Sequence, residues 1–241
     1  KTEYRDEVFE IDAPFSGEGK SLVKTTNRFS GIDWGAESVA IIYDYWWDTR
    51  NRKAYIFNPS NPNSKPKTLY DRNYQDIYSD PGSFLKTRNT FNKSVLMLHK
   101  GSAFLRGAGF SEEGQFPFID KVNITSLNKS RVYQSKYTDK VEAIQDYNPA
   151  TNELIVRIES PTEYPNYYSK KINGKRLTKI TDFENPFEEL QNVKKEVITY
   201  KRDDGLQLSG ILYLPVNYDE EKKEKAPMIL WAYPREFKDR N

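Results

Sequence analysis

Residues 16–21 (SGEGKS) end in the Gly-Lys-Ser of a phosphate-binding loop, in which backbone amides cradle the phosphate and the lysine meets its charge. That motif also needs a glycine at position 14, where Pro14 stands, and a helix after Ser21, where LVKTTN follows. The segment is therefore read as a turn between strands. His99 is the sole histidine, so a Ser/His/Asp triad has only this one candidate for its base, and no GxSxG elbow supplies a nucleophile. A single histidine without any cysteine makes no zinc site unless carboxylates complete it, and the lack of cysteine removes thiol catalysis and disulfides as well. Residues 70–84 (YDRNYQDIYSDPGSF) carry Asp71, Asp76 and Asp80, but not at the alternate spacing of a calcium loop. Asp80, Pro81 and Gly82 read as turn chemistry, with Asp76 capping local backbone groups. Arg50, Arg52 and Arg88 are the types that would meet an acidic substrate side chain, yet they are three of 37 basic residues, so no specificity pocket is assigned. No metal and no cofactor is expected.

The elements that position these residues read as strands. Aromatic content of 14%, with 17 Tyr and 13 Phe, suits pleated surfaces better than helical bundles. The strongest burst is 38–47 (SVAIIYDYWW), followed after a short polar turn by 53–58 (KAYIFN) as the second arm of a hairpin. Segments 94–99 (SVLMLH) and 153–159 (ELIVRIE) are expected to take the same place in later units. Hairpins follow at 118–134 and 167–180, the latter with Asn173-Gly174 as a type I′ turn. Trp46 and Trp47, being adjacent, point to opposite faces, and both are expected to pack between units. The recurrence, every 55 to 60 residues or roughly so, suits the four-stranded units of a β-propeller. A partial unit reaches about Thr25, and further units end near Asp71, Gln134 and Asp182.

At 184–192 (ENPFEELQN) the pattern breaks into a short helical turn, with Pro186 suited to its first turn. Strands at 194–201 and 206–214 follow, then a charged loop at 219–225. Residues 228–232 (MILWA), between Pro227 and Pro234, form a continuous apolar run of the kind that is covered on both faces in a parallel sheet.

Net charge is +2, from 37 basic and 35 acidic residues, so no overall field points to nucleic acid or an anionic membrane. No apolar stretch approaches the roughly 20 residues of a transmembrane helix. The first nine residues lack the regions of a signal peptide, and the chain begins with Lys, so an export signal would lie upstream. Three Asn-x-Ser/Thr tripeptides, at Asn92, Asn123 and Asn128, are glycosylation acceptors only in a eukaryotic secretory setting.

The order of pieces, a propeller-like array leading through a linker into 197–219 (VITYKRDDGLQLSGILYLPVNYD) and 226–239 (APMILWAYPREFKD), resembles the prolyl oligopeptidase family of serine peptidases. The segments 46–59 (WWDTRNRKAYIFNP), 70–83 and 109–120 (GFSEEGQFPFID) are similar to its glutamyl-endopeptidase-like branch. The resemblance implies a mainly β chain: a partial β-propeller of about three to four blades over 1–183, a linker at 184–193, and the first strands of an incomplete α/β-hydrolase domain over 194–241. It implies that the apolar run belongs to a sheet whose remaining strands lie beyond Asn241. The family's Ser, Asp and His motifs do not occur here, so the chain itself is expected to be inert. The resemblance also implies that Tyr233, in the loop after that strand, donates its hydroxyl to the tetrahedral oxyanion. Pro234, Arg235 and Glu236 stand where two glycines commonly follow this tyrosine, and a tyrosine merely closing a buried strand is the plain alternative. A peptide substrate admitted past the propeller is the implied partner, and a periplasmic or exported location the implied setting. The competing reading is a non-catalytic β-propeller interaction module.

Overall fold

The computed structural model describes residues 3–219, 221–222 and 225–232. It is built almost wholly of antiparallel strands, with one 3-10 turn at Glu188–Leu190. A hairpin of β1 (Asp6–Glu10) and β2 (Lys20–Thr25) precedes a four-stranded meander of β3 (Arg28–Ala36), β4 (Val39–Trp46), β5 (Asn51–Phe57) and β6 (Lys67–Asn73). The next stretch contains β7 (Ser83–Phe84), β8 (Lys86–Arg88), β9 (Ser94–Leu96), β10 (Leu98–His99), β11 (Ser102–Gly107), β12 (Phe110–Ser111), β13 (Gly114–Gln115), β14 (Phe118–Asn123) and β15 (Lys129–Gln134). Of these, β10-β11-β14-β15 is the second sheet, with β7 also on β11, while β8-β9 and β12-β13 are small hairpins. The third sheet is β16 (Val141–Asn148), β17 (Glu153–Glu159), β18 (Asn166–Lys171) and β19 (Leu177–Lys179), and a last hairpin pairs β20 (Lys194–Lys201) with β21 (Gln207–Leu214).

The alternation of strand side chains explains how these sheets stack. On β4, Ala40 and Ile42 face Leu22 and Val23 of the first hairpin, while Val39 and Ile41 face Phe84, Ala103 and Leu105 of the second sheet and Leu96 of β9. The second sheet divides likewise: its other face puts Phe104 and Ile119 against Ile144, Leu154, Val156 and Ile158 of the third. Three apolar seams result, and each fully buried Ile or Leu in them contributes about 1.5 to 3 kcal/mol.

The first–second seam is tight along the first-strand edge and open along the fourth. A Cβ on Gly35 of β3 would come within 2.9 Å of the Val39 carbonyl and 3.2 Å of Leu96, so only glycine fits there. Beside it Lys86 Nζ meets Asp33 Oδ1 at 2.6 Å. At the opposite edge of the first–second seam lies a groove of about 230 Å³ lined by Tyr70 on β6 and Lys129 on β15, whereas along the second–third seam Tyr133 on β15 accepts a hydrogen bond from Lys170 on β18 beside a groove of about 520 Å³. The first and second sheets therefore fan out from their first strands, as propeller blades do.

Buried polar groups fix the passages between sheets. Asp44, wholly buried on β4, accepts hydrogen bonds from the amides of Thr26 and Asn27 at 3.1 and 3.0 Å, tying down the chain between β2 and β3. Asn166 on β18 does the same for the chain leaving β19, accepting from the Phe183 amide at 2.7 Å.

Several expectations are corrected. Residues 94–99 do not form a central strand; they divide at Met97 into β9 and β10, and SAFLRG (β11) is the second strand of that sheet. The first strand of this sheet is itself interrupted, since β7 and β10 share one edge of β11 and the β8–β9 hairpin leaves between them. Asn173 and Gly174 do not adopt the positive φ of a type I′ turn. Instead the Ile172 amide bonds to the Asn152 carbonyl at 3.0 Å and its side chain packs on the second–third seam, so the chain runs past Lys171 before turning back. Trp47 is not packed between sheets but is 67% exposed. Residues 225–232 have no strand partner among the described residues, and Ile229 and Trp231 are 94% and 87% exposed, as for a run whose covering strands are expected elsewhere.

Candidate functional site

In an antiparallel meander the turns from second to third strand, and the connectors from fourth strand to the next sheet, lie at one end. Here that end gathers the 47–50 turn, the loop at 74–82, the β12–β13 hairpin, the connector at 135–140 and the turn at 160–165. Between the last three and β20 lies a groove of about 510 Å³, lined among others by Glu113, Phe116, Tyr137, Lys140, Glu159 and Lys195.

Its polar groups are held in place. Lys140 Nζ donates to both carboxylate oxygens of Glu163, at 2.6 and 2.8 Å, and this hydrogen bonding lifts the ammonium above its usual range. Glu159 accepts from the Arg157 guanidinium at 2.5 Å. Burial, with the charge of Glu142 behind it, raises the Tyr137 phenol, which stays protonated at neutral pH. Ser160 is the one hydroxyl nucleophile by type at the rim besides Thr138, but its Oγ accepts from the amides of Thr162 and Glu163 at 3.3 and 3.0 Å, as a turn residue does. Chemically the groove offers alternating charge and aromatic surface to an extended chain, without an activated nucleophile.

The residues singled out by sequence scatter. His99 sits beside the β10–β11 turn, at the opposite end of its sheet, so no Ser–His–carboxylate arrangement forms with this groove. Residues 16–19 are a connection into β2, as read. Asp76 and Asp80 accept hydrogen bonds from the amides of Tyr78 and Gly82 at 3.0 and 2.8 Å, which is the turn role expected of them. A Cβ on Gly82, at φ +82°, would come within 2.2 Å of the Arg106 carbonyl, so this turn requires glycine. No cluster of three or more metal-ligating side chains occurs among the described residues.

Arg50 is buried, with its guanidinium 3.8 Å from the Trp47 ring centre and Nη1 donating to the Trp47 carbonyl at 2.6 Å. Arg5 lies in the same way over Trp46, at 3.9 Å. Arg52 lies 5.3 Å from the Tyr43 ring, and Arg88 donates to the Asn92 carbonyl at 2.8 Å in the β8–β9 hairpin. Tyr233 lies outside the described residues. The groove residues carried no sequence signal of their own, because the chain brings them together from three separate connections and a strand.

No family model matches the sequence. Among curated proteins it is 34% identical over 254 aligned residues to a probable chloroplastic glutamyl endopeptidase of Oryza sativa subsp. japonica, covering 98% of this chain and 27% of that protein. It is 32% identical to the Arabidopsis thaliana protein of the same description, covering 98% of this chain and 26% of that one. The chain thus spans about a quarter of the curated relatives it matches. Among solved structures, dipeptidyl peptidase 4 of Porphyromonas gingivalis aligns at TM-score 0.48 and 11% identity, covering 84% of this chain and 34% of that one. No helix among the described residues is long and apolar enough to cross a membrane.

Proposed function

We propose, from the homology of this chain to the glutamyl-endopeptidase-like branch of the prolyl oligopeptidase family, that its stacked sheets are the part of a serine endopeptidase that gates peptide access. The supporting observation is identity above 30% sustained over 98% of the chain. On this reading residues 1–183 are propeller blades, 184–193 a linker, and 194–241 the opening strands of an α/β-hydrolase domain. A fan of sheets admits an extended peptide and excludes a folded one by size, and it keeps bulk water from the reacting carbonyl. Tyr233 then donates to the oxyanion that forms as serine attacks that carbonyl. The relatives' name directs the substrate search to peptides containing glutamate.

The test is to express the protein as its gene encodes it and treat it with a fluorophosphonate probe and a quenched glutamate-containing peptide. The reading expects the probe to label a serine and the peptide to be cleaved, with cleavage lost once the serine is labelled. Expressed alone, the 241 residues are expected to do neither, since they hold no GxSxG. A gene product that binds peptides but labels with no serine probe would favour a non-catalytic interaction module instead.

A further inference from the structure

The β8–β9 hairpin stands apart from the meander that surrounds it. It leaves from the gap between β7 and β10, hence from the innermost strand position of the second sheet, where the sheets converge. Its base is anchored on the neighbouring sheet by the 2.6 Å ion pair of Lys86 with Asp33 and by Leu96 and Leu98 against Gly35. The tip is held rigid from within. Asn89 Oδ1 accepts from the amides of Phe91 and Lys93 at 3.0 and 2.9 Å, the Asn89 amide donates to the Lys93 carbonyl at 3.0 Å, and Arg88 braces the Asn92 carbonyl. Asn92 takes the left-handed conformation, φ 57°, that closes the turn.

A turn ordered this tightly presents Phe91 80% exposed, against nothing. Residues 86–94 (KTRNTFNKS) hold three basic and no acidic side chains. Lys86 is neutralised by Asp33, while Arg88 and Lys93 make no ion pair among the described residues. An aromatic ring flanked by two uncompensated cations, fixed to the inner edge, suits an extended peptide that carries a carboxylate next to an apolar side chain.

We propose that the β8–β9 hairpin is a substrate-contacting finger, with Phe91 engaging an apolar side chain and Arg88 and Lys93 an acidic one on peptides moving along the first-strand edges. The inference rests on the peptidase reading above and names the element through which that site selects acidic peptides.

The experiment compares the protein as its gene encodes it with R88Q/K93Q and F91A variants, using a long quenched glutamate-rich peptide and a short chromogenic glutamyl amide. Each variant is expected to raise KM for the long peptide about tenfold, with the short amide unchanged. The R88Q/K93Q effect should also shrink as salt is raised. The substituted side chains are exposed, so unchanged melting temperatures are expected and serve as the folding control. Unchanged KM for both substrates, or an equal loss on both, overturns the finger while leaving the peptidase reading intact. Should the unsubstituted protein cleave neither substrate, the peptidase reading fails. Fluorescence anisotropy of the labelled long peptide then decides the finger separately: binding weakened in both variants supports it, and binding equal to the unsubstituted protein overturns it.

Discussion

The Tyr133 hydroxyl, on the last strand of the second sheet, donates to Glu142 Oε2 at 2.6 Å on the first strand of the third. Glu142 is almost wholly buried, and its other oxygen accepts from Lys170 on β18, so one carboxylate joins three strands across a seam that is otherwise apolar. Burial comes first, then the bond to Glu142, in pushing the Tyr133 phenol far above its ordinary value. Glu142→Ala would leave the Lys170 ammonium, itself largely enclosed, without its partner. Loss of about 3 to 5 kcal/mol is expected, the range for breaking a buried ion pair by removing one side. Tyr133→Phe removes two hydrogen bonds, the one donated to Glu142 and the one accepted from Lys170, but leaves the Glu142–Lys170 ion pair in place, and should cost about 1.5 to 3 kcal/mol. Urea unfolding of the two variants checks the order; equal losses would show that the carboxylate is not the hub.

Tyr55 gives a pH dependence of definite sign. Its hydroxyl approaches Asp44 Oδ2 at 3.3 Å, and burial, partly offset by the Thr26 hydrogen bond and reinforced by the Asp44 charge, pushes the phenol up to about 12. An unfolded tyrosine titrates near 10, roughly the reference value. The folded state therefore holds this proton more firmly, and the stability so gained is complete below pH 10 and is lost as pH rises through 12. Denaturation midpoints measured from pH 9 to 12, roughly that window, should fall less steeply in Tyr55→Phe than in the unsubstituted chain.

Tyr233→Phe, made in the protein as its gene encodes it, should lower kcat about 100- to 1,000-fold, the loss typical of one oxyanion donor, and leave KM nearly unchanged. A tyrosine that merely closes a strand would instead lower thermal stability and leave kcat of the folded fraction intact. Steady-state kinetics with active-site titration separate the two.

The isolated 241-residue chain should self-associate. Val197, Tyr200, Ile211 and Tyr213 expose apolar surface on both faces of the β20–β21 hairpin, and the strand edges of that hairpin are unpaired among the described residues. Sedimentation velocity should find species larger than 28.2 kDa. Val197→Lys with Ile211→Lys, which puts charge on a non-core surface, should return the chain towards monomer.

The sheets were legible in the sequence because their second strands are deeply buried, 39–46 on both faces and 153–159 on alternate residues, so they stand out as apolar bursts between turns. Unit ends near Thr25, Gln134 and Asp182 were readable for the same reason, as was the hairpin at 118–134. The second sheet was harder. SVLMLH is more apolar than an edge strand requires, because Leu96 serves the first–second seam although β9 pairs only with β8. The Asn173-Gly174 signal failed through a tertiary effect, the pull of Ile172 towards the second–third seam. The groove and the inner finger were not legible at all. Their side chains are ordinary surface types, and what distinguishes them is position, which depends on how connections far apart in sequence meet at one end or edge.

Ile41 and Ile42 are neighbours in sequence but serve different layers, one turned towards the second sheet and the other towards the first hairpin. Deleting or inserting one residue within β4 would exchange these two populations of side chains at a stroke, turning Asp44 to the face that Ile41 and Tyr43 occupy. The strand can thus accept a change of residue far more readily than a change of length. Variation in length among relatives should collect in the connections and small hairpins, where new substrate preferences can arise without disturbing either layer.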